Sequence, residues 1–347
     1  MPKNEKTISF KSGGLLNKEK SSIGLGALKD LSSKVSYQFI DWPIARDMGV
    51  SVEIRRDDLI DPVIGGNKLY KLHGHLDALN EVVLNEHASN SRIFEKQRPL
   101  ASFGGAYSNH LYALAGLGSQ LNLETIGIIR GEQPKRESAT LKDLREFGMQ
   151  LKFVSRNHYA ELKTLCGLNS SSSGTMALGF PDETFFIPEG GGGSAGIKGC
   201  KELGRSLVKK GPTVVGMASG TGTTMAGVLL GMAEQIKDGG GNRPKVMAIS
   251  ALKSSSSTVR SILDLIEGNK VPDWMFSNQF HCGGFAKITT ELQTFMDMMR
   301  EDYSVPLDRV YTAKLVYGFY SLIKAGNFRA GTKIVLLHSG GLQGNRN

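Results

Sequence analysis

Apolar runs at residues 99–103, 124–130, 149–154, 184–187, 213–218, 245–250 and 333–337 are separated by segments long enough to be helices. This alternation constrains the fold more than any other feature. Strands that succeed one another through a helix run parallel, and the sheet they build carries helices on both faces. Residues 51 to 56, Ser-Val-Glu-Ile-Arg-Arg, add a run that alternates like a strand and ends in Asp57-Asp58. In open sheets of this kind, ligand sites form where loops leave the carboxyl ends of strands. The loops are therefore where chemistry should be sought.

One loop, Gly65-Gly66-Asn67-Lys68-Leu69-Tyr70-Lys71, brings a lysine to the start of a helical pattern at Leu69. An amine held by a tight glycine turn and partly desolvated has a lowered pKa and can form an imine with a carbonyl. Lys71 lies one helical turn further on, on roughly the same face, and could hold an anion nearby. Two lysines at this spacing also suit a solvated surface. A second loop, Gly104-Gly105-Ala106-Tyr107-Ser108-Asn109-His110, opens the helical pattern Leu111 to Leu117. Ser108 and Asn109 fall at its start, where backbone N–H groups and the helix dipole attract a carboxylate; a plain N-cap fits the same residues.

The loop Ser219-Gly220-Thr221-Gly222-Thr223-Thr224 precedes the helix Met225 to Ile236 and has the composition of a phosphate cradle. It lacks the lysine of a Walker A loop. It also lacks the third small residue of the dinucleotide fingerprint, since Met225 stands there, and the next strand runs into Leu252 and Lys253 with no acidic residue. A lone phosphate fits better than a nucleotide, and a nicotinamide dehydrogenase is disfavoured. Pro188-Glu189 followed by Gly190 to Gly193 would let backbone approach a ligand closely, or serve as a hinge. Near the other end, Val310-Tyr311-Thr312 precedes the helix Ala313 to Ala325, and the strand Ile334 to Leu337 runs into His338-Ser339-Gly340-Gly341. Tyr311 could cover an aromatic ring or pack in the core, and Ser339 could donate a hydrogen bond or be a turn residue.

At 347 residues with 40% hydrophobic content the chain can bury two cores or one large one. A net charge of +9 is spread without a basic run, which argues against nucleic acid and fits a surface around anionic small molecules. Cys166, Cys200 and Cys282 are far apart and odd in number, so neither a disulfide framework nor a zinc site is encoded. With no signal peptide and no apolar run of membrane-spanning length, the expectation is a cytoplasmic protein without a membrane partner. Residues 1–33 read as an extension, and the serine stretches at 170–173 and 254–257 and the glycines at 239–241 as surface loops.

Taken in order from about Trp42 to Gly344, GGNKLYK, GGAYSNH, PEGG, SGTGTT, VYT and HSGG resemble the fold-type II pyridoxal phosphate enzymes. Within these they resemble the 1-aminocyclopropane-1-carboxylate deaminase and D-cysteine desulfhydrase family. The resemblance implies two open, twisted, mostly parallel sheets. A large domain would comprise residues 34–74 and 181–347, with a small domain inserted at 75–180 and the cofactor between them, in a homodimer. It implies that Lys68 carries the cofactor, that Asn67 bonds its phenolic oxygen, and that Lys71 with Gly220, Thr221, Gly222, Thr223 and Thr224 binds its phosphate. Ser108 and Asn109, with His110, would hold the substrate, Tyr311 would lie over the pyridine ring, and Ser339 would face the ring nitrogen. A neutral hydroxyl there makes a weaker electron sink and favours prompt loss of a β-leaving group.

Where the cyclopropane-opening branch resembles itself in having glutamate after the site tyrosine, this chain has Thr312, as the desulfhydrase branch does. Phe285 stands where both branches usually carry a second tyrosine. The leading expectation is a lyase acting by α,β-elimination on a D-amino acid, D-cysteine first, to give pyruvate, ammonia and hydrogen sulfide. The alternatives are cyclopropane deamination to 2-oxobutyrate, and cofactor binding without turnover.

Overall fold

The computed structural model describes residues 30–86, 98–168, 179–239 and 242–346. Most of the expected extension, the serines at 170–173, and residues 240 and 241 lie outside these. Of the rest of the extension, Ser32 is buried. The described strands form two sheets. β1 (Tyr37–Phe39), β2 (Ser51–Arg55), β7 (Val214–Ser219), β8 (Lys245–Ser250), β9 (Trp274–Ser277) and β10 (Lys333–Leu337) make a six-stranded sheet in the order β1-β2-β10-β7-β8-β9. β3 (Leu100–Gly104), β4 (Thr125–Arg130), β5 (Gln150–Val154) and β6 (Phe185–Ile187) make a second sheet in the order β5-β4-β3-β6. Every pairing is parallel except β1 with β2. β6 lies past residue 180, so the four-stranded sheet extends beyond the expected limit of the insertion.

The helices are α1 (Pro43–Asp47), α2 (Asn67–Glu86), α3 (Asn109–Leu121), α4 (Ala139–Glu146), α5 (Arg156–Leu168), α6 (Gly193–Lys210), α7 (Thr223–Gly239), α8 (Ser256–Ile266), α9 (Thr290–Glu301) and α10 (Thr312–Lys324). Ser108, Ser138 and Thr289 accept from the amides of Leu111, Leu141 and Leu292 and so start α3, α4 and α9. α8 opens at Ser256, so the serine stretch expected as a loop becomes helix halfway along. α2 begins at Asn67 rather than Leu69, which places Lys68 inside its first turn.

Alternation along the central strands divides the core between helices on the two faces. In β10, Ile334 and Leu336 pack with Phe295 and Phe319 of α9 and α10, whereas Val335 and Leu337 join Leu203 and Leu229 of α6 and α7. In the smaller sheet, Ala101, Phe103, Ile126 and Ile128 face Tyr159 and Leu162 of α5. α2 and α6 cross with their backbones nearly touching: a Cβ on Gly199 would lie 1.9 Å from the Tyr70 carbonyl oxygen, so only glycine fits.

A buried polar group ties β2 to α2. The guanidinium of Arg55 donates to both carboxylate oxygens of Asp57 at 3.1 Å, to Tyr70 Oη at 2.8 Å and to Ser32 Oγ at 3.0 Å, and Tyr70 Oη donates to Asp57 Oδ1 at 2.7 Å. Arg55 and Asp57 are 1% and 2% exposed, so removing one charge strands the other away from water. Asp57→Asn should lower the unfolding free energy by roughly 3–5 kcal/mol. Tyr70→Phe leaves the ion pair in place and should cost about 1 kcal/mol. Urea midpoints of the two variants test this ordering.

Candidate active site

β2, β10 and β7 are adjacent, so the loops leaving their carboxyl ends converge, and the loop leaving β3 faces them from the smaller sheet. The cleft between has a volume of about 800 Å³. It holds every expected site residue apart from the buried Thr223, which lies just below its wall.

Lys68 rises from the first turn of α2 at the floor of the cleft. Its turn is clamped from both sides. The amide of Gly66 donates to Asp57 O at 2.8 Å and that of Asn67 to Ser339 O at 3.4 Å. Gly66 has φ +84° and a Cβ there would lie 2.1 Å from Ser339 O, so no other residue fits. Lys68 Nζ donates to Asn67 Oδ1 at 3.1 Å, and Asn67 Nδ2 donates to Thr224 Oγ1 at 2.9 Å, which links the amine to the hydroxyl-rich loop. Burial, and then the like charge of Lys71, bring Lys68 from the ordinary 10.5 down to about 7.

Residues 67, 71 and 75 of α2 share one face. Lys71 Nζ donates to Gly190 O at 2.9 Å, and His75 Nε2 bonds Gly192 O at 3.0 Å, so this face holds the glycine loop in place. Burial lowers the pKa of Lys71 and takes His75 down to about 4. The four-residue spacing Asn67-Lys71-His75 was the signal for His75, which the motifs alone passed over. Glu189 is half-buried. Burial pushes its carboxyl up, but the hydrogen bonds from Lys163 at 2.5 Å and Tyr159 at 2.8 Å outweigh it and hold the group below its ordinary value.

Ser108 is the N-cap of α3, accepting from Leu111 N at 3.2 Å, and its hydroxyl proton is free to point elsewhere. Asn109 Oδ1 accepts from Gln343 Nε2 at 2.7 Å. His110 turns its ring away from the opening: it is 2% exposed and Nε2 bonds Ser102 Oγ at 2.8 Å. Burial, then Lys68 and Lys71, hold that ring well below the usual histidine range, so it is neutral. Tyr311 packs over Gly220, where a Cβ would lie 3.2 Å from its ring. Burial, then Asp308 and Glu189, raise Tyr311 to about 12. Phe285 stands edge-on to it, ring centroids 6.2 Å apart, and is 56% exposed.

Three supporting residues escaped the motifs. Asp308 accepts from the amides of Val310, Tyr311 and Thr312 and from Thr312 Oγ1, fixing the backbone at Tyr311. Lys314, 1% exposed, donates to Gly284 O at 2.6 Å and holds the loop that carries Phe285. Gln343 orders Asn109. An acid four residues ahead of a helix was a visible signal for Asp308; nothing local marked the other two. Thr312, read from the sequence as a marker of chemistry, is fully buried and spends its hydroxyl on Asp308. Among the described residues no cluster of His, Cys, Asp or Glu suits a metal ion, and no helix is long and apolar enough to cross a membrane.

No protein-family model matches the chain. A solved structure described as an ACC deaminase homologue superimposes with a TM-score of 0.67 at 24% identity, covering 92% of this chain and 96% of that one. The fold is therefore fold-type II. A Pyrococcus abyssi protein, provisionally named 1-aminocyclopropane-1-carboxylate deaminase, is 27% identical, with 87% of each chain covered. The Arabidopsis thaliana protein named bifunctional D-cysteine desulfhydrase/1-aminocyclopropane-1-carboxylate deaminase, mitochondrial, is 28% identical over 85% of this chain and 73% of its own. Both relatives carry names from the family that the motifs resemble, and their similarity runs across the fold-type II core.

Because the folded pKa of Lys68 is depressed, the unfolded chain binds the extra proton between pH 7 and 10.5, and stability of the cofactor-free protein should rise with pH across that window. The same shift predicts that aldehyde capture by this amine has its midpoint near pH 7, disappears in Lys68→Ala, and moves to higher pH in Lys71→Met. Rates of adduct formation at a series of pH values check it. A midpoint in the ordinary lysine range would contradict it.

Proposed function

We propose that this chain is a pyridoxal phosphate-dependent lyase that eliminates the β-substituent of a D-amino acid, with D-cysteine and water giving pyruvate, ammonia and hydrogen sulfide. The observation that carries the reading is the near-neutral amine of Lys68, set between a carboxylate-attracting helix start and a hydroxyl-rich loop at the start of α7.

The donor set fits the cofactor. Lys68 offers its carbonyl an amine of lowered pKa, Asn67 lies beside that amine, and Gly220 to Thr224 with Lys71 suit its phosphate. At the base of that loop the buried Ser219 hydroxyl has no hydrogen-bond partner among the described residues, a polar atom to spare near an anion. When bound, the cofactor supplies an electron sink for the pair left by the α-proton.

The remaining work falls to the chain's own groups. The start of α3 holds the substrate carboxylate through Ser108 and Asn109. Lys68, with a pKa close to neutrality, takes the α-proton as general base. Tyr311, kept protonated by burial, would pack against the cofactor's ring, and the neutral Ser339 would offer it a hydroxyl rather than a charge. His110 backs the site as a neutral, buried ring. Phe285 supplies an apolar edge to the entrance where a hydroxyl was expected.

Cyclopropane deamination stands as the second reading, because the Arabidopsis relative is named for both reactions and because Thr312 does not reach the cleft. A homodimer and a cytoplasmic location complete the proposal; light scattering of the loaded protein tests the first.

Loaded protein should release pyruvate from D-cysteine, more slowly or not at all from L-cysteine, and the Lys68→Ala variant should lose at least about a thousandfold in rate. Assaying 1-aminocyclopropane-1-carboxylate for 2-oxobutyrate in parallel separates the two readings. Normal cofactor absorbance with no turnover of either compound would refute both and leave a binding protein.

A further inference from the structure

The turn Leu342–Arg346 reaches both walls of the cleft. Asn345 Nδ2 donates to Leu307 O at 2.9 Å, and its Oδ1 accepts from Arg309 N at 3.1 Å, on either side of the Asp308 that fixes Tyr311. From the same turn Arg346 forms an ion pair with Asp143 on α4, which packs beside α3. Between these anchors, Gln343 Nε2 donates to Asn109 Oδ1 at 2.7 Å.

That last bond has a chemical consequence. A primary amide has one acceptor oxygen and one donor nitrogen, and nothing in its shape decides which way it faces. In the structure Gln343 Nε2 is the group on Oδ1, so Nδ2 faces away from Gln343 and toward Gly341. The space for that placement is kept by Gly341, whose φ is +90° and where a Cβ would lie 2.6 Å from Asn109 Nδ2. The amide is thus held between a donor on its oxygen and a glycine beside its nitrogen. With Nδ2 on the side of Gly341, which lines the cleft, Asn109 offers a carboxylate a donor; with Oδ1 there, it repels one.

We propose that Gln343 is a positioning residue for substrate: it sets the Asn109 amide so that an N–H group, not an oxygen, meets the substrate carboxylate. This rests on the reading of Ser108 and Asn109 as the carboxylate site. The anchors at Asn345 and Arg346 hold Gln343 in place, and through them the strand-end wall bearing Tyr311 and the helix start bearing Asn109 keep a fixed relation.

Gln343→Glu tests this with nearly unchanged shape. The introduced carboxylate accepts and cannot donate, so Asn109 turns Nδ2 toward it and presents its oxygen to the substrate. In cofactor-loaded protein the KM for D-cysteine should rise about tenfold to hundredfold, the value of one charge-assisted hydrogen bond, with kcat changed less than about twofold. Gln343→Met removes the bond without reversing it and should fall between the wild type and Gln343→Glu. Cysteamine has the amine and thiol of cysteine but no carboxylate, and its half-saturation, read from the perturbed cofactor absorbance, should be the same in the wild type and in Gln343→Met, the variant that adds no charge. An unchanged KM for D-cysteine in Gln343→Met would overturn the inference, since a rise in Gln343→Glu alone is repulsion by the added charge, as would an equal weakening of D-cysteine and cysteamine, which is general disturbance of the cleft. A wild-type protein that binds D-cysteine no better than cysteamine would overturn the carboxylate site itself and the proposed function with it.

Discussion

The position of Lys68 depends on one backbone contact, that of the Gly65–Asn67 turn against the strand end at Ser339. Two amides of this turn are bound on opposite sides, by Asp57 O and Ser339 O, and the approach at Gly66 is too close for any side chain. Helix α2 starts where it does because of this clamp. Behind it, the buried Arg55–Asp57–Tyr70 group ties the end of β2 to the second turn of the same helix. A buried ion pair adds little net stability over apolar packing, but its geometry is hard to satisfy in any other arrangement of β2 and α2. We therefore assign it a fixing role, which sets where the amine points.

The electrostatics of the cleft follow from that placement. Two lysines one helical turn apart, both desolvated, cannot both remain fully charged, and the one at the floor is brought to about 7. An incoming carboxylate meets cations and a helix start, while the acidic groups around it are already engaged. Asp308 is spent on three amides and a hydroxyl, Asp61 on the amides of Val63 and Ile64, and Glu189 on Tyr159 and Lys163. Their hydrogen bonds fix these carboxylates in the walls, from which the charges of Asp308 and Glu189 also raise the Tyr311 pKa.

The parallel strands were legible because central strands buried on both faces read as continuous apolar runs. β1 and β9 were not: they are edge strands of three and four residues with half-exposed side chains, and neither carries the β-branched residue and following glycine loop that marked the equally short β6. The site loops were legible for a related reason, since each follows a strand end and carries glycine or hydroxyl residues that have no place in a core. What remained hidden is held by long-range pairing. Gln343 meets Asn109 across 234 positions and Lys314 meets Gly284 across 30, and neither residue has a local pattern that distinguishes it from a surface side chain. Thr312 shows the converse. A residue next to a site tyrosine invites a chemical role, yet the helix turns its side chain inward to Asp308, so adjacency in sequence did not become adjacency to the ligand.

The division of labour in the cleft bears on stereochemistry. Under the proposed function, a carboxylate held at the start of α3 would leave either enantiomer free to present its amine toward α2, because the anchor is the same atom set in both. With both groups held, the two enantiomers exchange the α-hydrogen and the β-carbon between the faces of the α-carbon. The walls near the entrance, Tyr107 and Phe285, are 66% and 56% exposed and offer no polar group buried enough to reject one hand. In the proposed reaction the base contributes to selection, because Lys68 rises from one fixed turn on one side. Under the proposed function, the clamp at Gly66 that places the amine would also set which α-hydrogen it reaches, and a change that moved the turn would alter both together.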